Sequence, residues 1–320
     1  MFDFHQETLE IDSKEILINE LNHLISEGNY VFRGYSIRDE VLPSIVRKKE
    51  SDLEIELLYM FEKYGIQHIN ANNPIDFMSY AQHFGLPTRL LDFTYNPFIA
   101  LYFALFRQKP NNAANADDNQ FYYIRFCKLE DHIFFKYLPI VQTPSDISDG
   151  NFSLTKSYIK ALLSMQSALN NDEIMREYLQ NAYRDKNPYE MEKSSGLLSY
   201  FIDTEKTKFK NERLLFIDAN QSNQRLVMQQ GLFLFPYTID ESRLRKQIEV
   251  NTHLIKVHKK LRNPMQKYLH TMGINAFRLM PDLSSICTAV ERIVKEERQN
   301  KNAIFLNRSE FNGLSEAINE

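Results

Sequence analysis

The chain has 320 residues, of which 43% are hydrophobic and 12% aromatic, so it can bury a substantial core and extensive disorder is excluded. Its 38 basic and 42 acidic side chains give a formal net charge of −4, which argues against binding nucleic acid through bulk positive charge alone. Two cysteines without metal-ligand spacing fit a reducing compartment. The N-terminus has no signal-peptide pattern, and the longest apolar run, Pro97 to Phe106, is too short to span a bilayer. We therefore expect a cytoplasmic protein without a membrane role.

The first half of the chain alternates helix and strand signals. Capping residues, apolar spacing and prolines at first helical positions predict four helices, which start near Ser13, Asp52, Asn73 and Asn96. Aromatic and β-branched runs predict strands at residues 30–32 and 121–127. The helix after Asn96 is apolar on most sides, so we expect it to be the central helix of the core.

The second half begins with a polar, helix-prone stretch at residues 149–200, which we interpret as a helical insertion. Strand patterns follow at 214–217, 231–235 and 253–257, and helix patterns at 264–272 and 283–295. The sequence thus predicts an α+β fold in which a small mixed sheet is surrounded by helices.

Arg33 is the first candidate functional residue. It ends a predicted strand, and Gly34 behind it lets a ligand or a neighbouring backbone approach closely. A guanidinium held at a strand edge suits a phosphate or a carboxylate. The alternative is an ordinary surface arginine or a structural ion pair with Asp92.

A second group of candidates lies between His83 and Thr94. Five polar side chains stand there among apolar ones and need partners at the core boundary: His83, Thr88, Arg89, Asp92 and Thr94. Such a cluster is either a binding site or a polar bracket that holds a loop.

These residues also carry a family resemblance. The triplet Phe32-Arg33-Gly34 and the segment HFGLPTRLLDFTYNPFIALYFAL closely resemble the signature of the FRG domain family. The segment RLVMQQGLFLF, with Arg225 and Gln229, resembles a later motif of that family, and residues 280–283 resemble its closing motif. The resemblance spans roughly residues 30–107 and 211–290. It divides the chain into a first part of the FRG core at 1–148, the insertion at 149–200, and a second part with terminal helices at 201–320.

FRG proteins occur in bacterial toxin and phage-defence settings and are distantly similar to the ADP-ribosyltransferase superfamily. The resemblance therefore implies an ADP-ribosyltransferase-like fold and an enzyme that consumes NAD and modifies a nucleic-acid or protein acceptor. An antitoxin or chaperone is an implied partner, and no metal is implied. By position, the NAD-binding candidates are Arg33, Thr88, Arg89, Thr94 and His83, and the catalytic candidates are Asp92 and Gln229. No glutamate stands in the later motif, and Gln229 can orient a ribose hydroxyl but cannot act as a base.

Two other interpretations stay open at this point. The polar cluster could bind a nucleotide or a partner without turnover, which scattered side chains or a pocket plugged by Tyr95 or Phe98 would favour. It could also be purely structural, with Arg33 and Asp92 as a buried ion pair. Basic residues at 243–246 and 256–262 could follow a nucleic-acid backbone, although such runs are more often solvated helix faces.

Overall fold

One mixed β-sheet organises the protein. The computed structural model describes residues 8–71, 73–106, 117–135, 153–155, 158, 213–218, 224–236 and 238–299. Its strands are β1 (Thr8–Ile11), β2 (Tyr30–Tyr35), β3 (Leu91–Thr94), β4 (Phe121–Lys128), β5 (Ile133–Phe135), β6 (Leu215–Asp218), β7 (Gly231–Leu234) and β8 (His253–His258). They form a single eight-stranded sheet in the order β1-β8-β4-β2-β3-β7-β6-β5. The pairs β1/β8 and β5/β6 are parallel and the others antiparallel, which confirms the predicted α+β class.

Helices cover both faces of this sheet. They are α1 (Lys14–Glu27), α2 (Ser44–Arg47), α3 (Glu54–Gly65), α4 (Pro74–His83), α5 (Pro97–Phe106), α6 (Gln224–Met228), α7 (Glu241–Asn251), α8 (Arg262–Thr271), α9 (Ala276–Leu279) and α10 (Leu283–Gln299). None of the helices within the described ranges combines the length and the apolar character needed to cross a membrane.

The predicted helices form for the reasons that the sequence indicates. Ser13 caps α1 by accepting a hydrogen bond from the Ile16 N–H, and the helix ends at Gly28, whose φ is +73°. The Asn73 side chain caps α4 by accepting from two backbone N–H groups, and proline occupies the first helical position. The capping signals therefore predicted helix ends correctly.

Several elements were not predicted. They include the short strands β1, β3 and β5, the short helix α6, and the 11-residue helix α7. The strand Leu91–Thr94 is only 4 residues long, so its alternation is too brief to distinguish it from a loop. Its place in the middle of the sheet comes from its antiparallel partners on both sides.

The sheet register assigns each side chain to a face, because directly paired residues point to the same side. Phe32 pairs with Thr94, and Asp92 pairs with Phe233, so Thr94 and Asp92 share one face. Arg33 alternates to the opposite face, with Val31 and Tyr35 in one hydrophobic cluster.

The face that carries Asp92 is covered by two separate groups of helices. Over the β1, β8, β4 and β2 half lie α1, α5, α8 and α9, whose apolar side chains form one cluster. Over the β7 and β6 half lie α3 and α4, which form another.

Helix α5 confirms the expectation of a central helix, since 8 of its 10 residues are buried. It packs so closely on β2 that a Cβ atom on Gly34 would lie 1.6 Å from the carbonyl oxygen of Ala100. Of the two uses expected for Gly34, the structure shows the close approach of a neighbouring backbone.

The sheet combines strands from both proposed parts of the core, with β1 to β5 from residues 1–148 and β6 to β8 from 201–320. Apart from residues 153–155 and 158, the proposed insertion at 149–200 lies outside the described residues.

Candidate functional site

A cleft of about 270 Å³ is lined by side chains from β2, β3, α2, α5 and α6. Strands β2 and β3 pair only at Phe32 and Thr94 and then separate, and the cleft occupies the space between them. Its lining combines cationic, acidic and aromatic side chains: Phe32, Arg33, Gly34, Tyr35, Glu40, Arg47, Asp92, Phe93, Thr94, Ala100, Phe103, Phe106, Arg225, Gln229 and Met280.

Arg33 bridges the two separated strands. Its guanidinium donates to the backbone carbonyl of Asp92 at 2.8 Å and to that of Glu40 at 2.7 Å. The Glu40 carbonyl is held in place because the carboxylate of the same residue accepts hydrogen bonds from Ser36. Arg33 thus holds its positive charge beside the cleft, because its two terminal nitrogens donate hydrogen bonds to neutral carbonyls.

The electrostatic setting of Arg33 differs from the ion pair considered from the sequence. Burial lowers the pKa of Arg33, and the negative charge of Asp92 partly offsets this effect. The guanidinium nevertheless contacts the carbonyl of Asp92 and not its carboxylate, and within the described ranges no ion pair of Arg33 is found. Its Nε is buried without a hydrogen-bond partner. A direct Arg33–Asp92 ion pair is therefore not the role of this arginine.

Asp92 presents its carboxylate to the cleft from β3. The Gln82 side-chain amide donates to both carboxylate oxygens, at 2.9 and 3.0 Å. Thr88 in turn donates its hydroxyl hydrogen to the Gln82 side-chain oxygen. The structure therefore brings Thr88 to the site indirectly, behind Gln82.

Two further arginines line the cleft. Arg47, at the end of α2, is exposed, and its Nε donates to the Leu42 carbonyl. Among the described residues, no other hydrogen bond or ion pair of Arg47 is found, and the residue lines the cleft. Arg225 enters from α6. We did not select Arg47 from the sequence, because a single arginine in a basic RKK run gives no local signal of a site.

A smaller recess of about 60 Å³ adjoins the cleft and shares Asp92, Arg225 and Gln229 with it. His83 lines this recess at the end of α4. Its Nδ1 lies 3.0 Å from a terminal nitrogen of Arg225, and its Nε2 lies 4.0 Å from the Asp282 carboxylate. Burial lowers the pKa of His83, and the charge of Arg225 lowers it further against an opposing effect of Asp282. His83 is therefore a neutral acceptor for Arg225 at neutral pH.

Thr94 and Gln229 line the cleft but also hold its frame together. The Thr94 hydroxyl donates to the backbone carbonyl of Gln229 at 2.7 Å. The Gln229 side-chain nitrogen donates to the carbonyl of Leu279 at 3.0 Å, which ties α6 to α9. Both side chains thus stabilise the contacts of the α6 region with β3 and α9.

Arg89 lies outside the cleft. Its guanidinium forms a buried bidentate ion pair with Glu54 and donates to the carbonyl of Pro236. The rings of Tyr158 and Phe235 lie 5.7 and 5.5 Å from it, at cation–π distance. Arg89 therefore anchors α3 and does not line the cleft that contains Arg33 and Asp92.

The aromatic lining differs from the expectation as well. Tyr95 and Phe98 do not line the cleft, so neither plugs it. Phe103 and Phe106 on α5 do line it, together with Tyr35 on β2 and Phe93 on β3. These rings give the cleft an apolar wall opposite its charged groups.

The family comparison coincides with this site. The FRG domain model matches residues 28–113, which include Arg33, Arg47, Gln82 and Asp92. The chain carries an FRG domain. No curated protein and no solved structure matches the chain. The FRG match covers the first of the two segments that carry the resemblance, while Arg225 and Gln229 reach the cleft from outside it.

Proposed function

We propose that the cleft of this FRG protein binds NAD and that the protein transfers ADP-ribose from NAD to an acceptor. The observation that carries this proposal is that one cleft with aromatic walls contains three arginines and the oriented carboxylate of Asp92. The resemblance of the FRG family to ADP-ribosyltransferases points to the same chemistry.

The arginines supply the charge that a pyrophosphate needs. Arg33, Arg47 and Arg225 all line the cleft, whereas the whole chain has a formal charge of −4. Guanidinium groups suit phosphate oxygens because they offer several N–H donors in one plane. Phe103 and Phe106 offer ring faces against which a nicotinamide or adenine base packs.

Asp92 supplies the complementary charge. Transfer breaks the bond between the ribose anomeric carbon and the nicotinamide nitrogen, and nicotinamide leaves with the bonding electron pair. Positive charge then develops on the ribose carbon, and a fixed carboxylate stabilises it. The acceptor nucleophile forms the new bond to that carbon and releases its proton to water.

The acceptor is a nucleic acid or a protein, and a toxin or phage-defence role with an antitoxin or chaperone partner remains a prediction. The basic stretch at 256–262 gives limited support for nucleic acid, because Lys256 pairs with Glu10 and Lys260 pairs with Asp12. These ion pairs reduce the charge available to phosphates.

The first test measures nicotinamide release and ADP-ribose incorporation when the purified protein is incubated with NAD and separate RNA, DNA and protein acceptors. We expect incorporation into one acceptor class by the wild type and a loss of at least about 100-fold in Asp92→Asn, which removes the charge at nearly constant shape. The Lys267→Ala variant serves as a control, since this exposed side chain on α8 lies outside the cleft.

A second measurement separates binding from turnover. Calorimetry with ADP-ribose should show that Arg47→Ala weakens binding about tenfold or more, the usual loss for a charge-assisted hydrogen bond. Binding of ADP-ribose by a wild type that neither releases nicotinamide nor labels an acceptor would contradict the enzyme proposal and support a nucleotide-binding module. Absence of both binding and turnover would contradict both functions.

A further inference from the structure

We propose that Gln82 is a positioning residue that orients the Asp92 carboxylate, and that Thr88 holds the Gln82 amide in the orientation whose NH₂ group faces Asp92. This inference rests on the proposed function for its kinetic consequence, but its structural part can be tested without any activity.

The contact between Gln82 and Asp92 is unusual in its chemistry. One side-chain NH₂ group donates to both carboxylate oxygens, at 2.9 and 3.0 Å. In the described part of the chain no cation forms an ion pair with Asp92, although Arg33 and Arg225 line the same cleft. A neutral amide holds the carboxylate in place without cancelling its negative charge. The carboxylate, which also interacts electrostatically with the nearby Arg33, therefore stays open to a ribose carbon that becomes positive.

Thr88 and Asp92 together fix the amide orientation, because the carboxylate only accepts hydrogen bonds and the Thr88 hydroxyl donates to the amide oxygen. Its side chain is 1% exposed, and its hydroxyl oxygen accepts a hydrogen bond from the Leu90 N–H. The hydroxyl hydrogen is donated to the Gln82 side-chain oxygen. An amide whose oxygen receives this hydrogen must turn its NH₂ group away from Thr88 and toward Asp92.

Thr88 is itself held by a neighbouring element. Its backbone N–H donates to the Ser44 hydroxyl at 3.0 Å, and the Ser44 hydroxyl donates to the Thr88 carbonyl at 3.3 Å. The order of support is thus Ser44 at the start of α2, Thr88 in the turn, Gln82 on α4 and Asp92 on β3. The turn containing Thr88 connects the last two elements and sets their relative position.

The kinetic test compares variants that keep or remove each hydrogen bond. Gln82→Met keeps the length of the side chain without its amide, and Thr88→Val keeps the shape of threonine without its hydroxyl. Both should lower kcat for nicotinamide release by about 10- to 100-fold, with KM for NAD changed less than threefold, because a misplaced group loses catalysis more than ground-state binding. Thr88→Ser retains the hydroxyl and should restore most of the kcat.

The structural test uses nuclear magnetic resonance of the Gln82 side-chain amide. In the wild type we expect restricted motion of this NH₂ group on the picosecond to nanosecond timescale, and greater mobility in Thr88→Val and in Asp92→Ala. A mobile amide in the wild type would overturn the inference, whether or not the protein is active.

The outcomes distinguish this inference from the proposed function. A restrained amide in a wild type that releases no nicotinamide would preserve the positioning of Asp92 and remove the enzyme proposal. An active wild type in which Gln82→Met and Thr88→Val retain full kcat would preserve the enzyme proposal and remove the positioning role.

Discussion

At the scale of single residues, the neighbours Arg33 and Gly34 have different roles in the site. Arg33 places its charge beside the cleft and bridges β2 to β3. Gly34 points to the opposite face, where α5 lies so near that no side chain fits. The glycine therefore brings the aromatic wall on α5 close to the arginine.

The Gly34→Ala variant should lower the free energy of unfolding by about 3 kcal/mol, because its Cβ would meet the helix backbone and force β2 and α5 apart. Urea unfolding followed by circular dichroism measures this change. The control is Gly231→Ala in β7, where the nearest atom is a flexible Leu226 methyl group at 3.0 Å. Equal losses in the two variants would show that the contact between α5 and β2 is not the reason for Gly34.

His83 makes stability depend on pH in a specific direction. Its pKa is lowered in the folded protein by burial and by Arg225, so the unfolded chain takes up a proton first as the pH falls. Stability should therefore decrease as the pH drops from about 7 through the ordinary histidine pKa of about 6.5 and below. In the His83→Gln variant this part of the decrease should be absent.

The measurement is urea unfolding of both proteins at several pH values, with the difference between them isolating His83 from the other histidines. Parallel curves for wild type and variant would show that His83 has no lowered pKa in the folded state.

At the scale of elements, the buried pair of Arg89 and Glu54 fastens α3 to the segment that leads into β3. Glu54→Ala should cost about 3–5 kcal/mol of unfolding free energy, because it leaves the Arg89 charge buried without its partner. The double variant Glu54→Leu with Arg89→Met should recover much of this loss, since it removes both charges and fills the space with apolar groups. Chemical denaturation gives all three values.

The control for this cycle is Glu291→Ala, which breaks an exposed ion pair with Lys295 and should leave the urea midpoint unchanged. If the double variant were as unstable as Glu54→Ala, the loss would come from the missing ion pair itself. The cost of burying the Arg89 charge without a partner would then not explain it.

At the scale of the whole molecule, the cleft is lined by side chains from β2, β3, α2, α5 and α6, which come from distant parts of the chain. A ligand in the cleft contacts these elements together and stabilises their arrangement. ADP-ribose at 100 times its Kd should raise the free energy of unfolding by about 2.7 kcal/mol, as mass action requires for a ligand that binds only the folded state. Thermal unfolding with and without ligand measures the shift.

Adenosine is the matched control, because it keeps the base and the ribose but has no phosphate for the arginines. Equal stabilisation by adenosine and ADP-ribose would show that the arginines do not recognise a pyrophosphate.

The sequence by itself determined the positions of most of the longer elements, although not of α7, and the candidate residues near one another in the chain. The caps at Ser13 and Asn73 and the apolar run of α5 act over one or two helical turns, so local rules suffice to predict them. The FRG signature identified Arg33 and Asp92 for the same reason, since a motif is a local pattern.

Only the tertiary structure decided which of those residues meet. Contacts between segments far apart in the chain separate β2 from β3 and place Arg47 and Arg225 at the cleft. Such contacts also place Arg89 in a buried ion pair away from the cleft. Side chains of the same type, such as Arg33 and Arg89, look alike in a sequence. Their partners differ because the fold places one beside a cleft and encloses the other among Glu54, Tyr158 and Phe235.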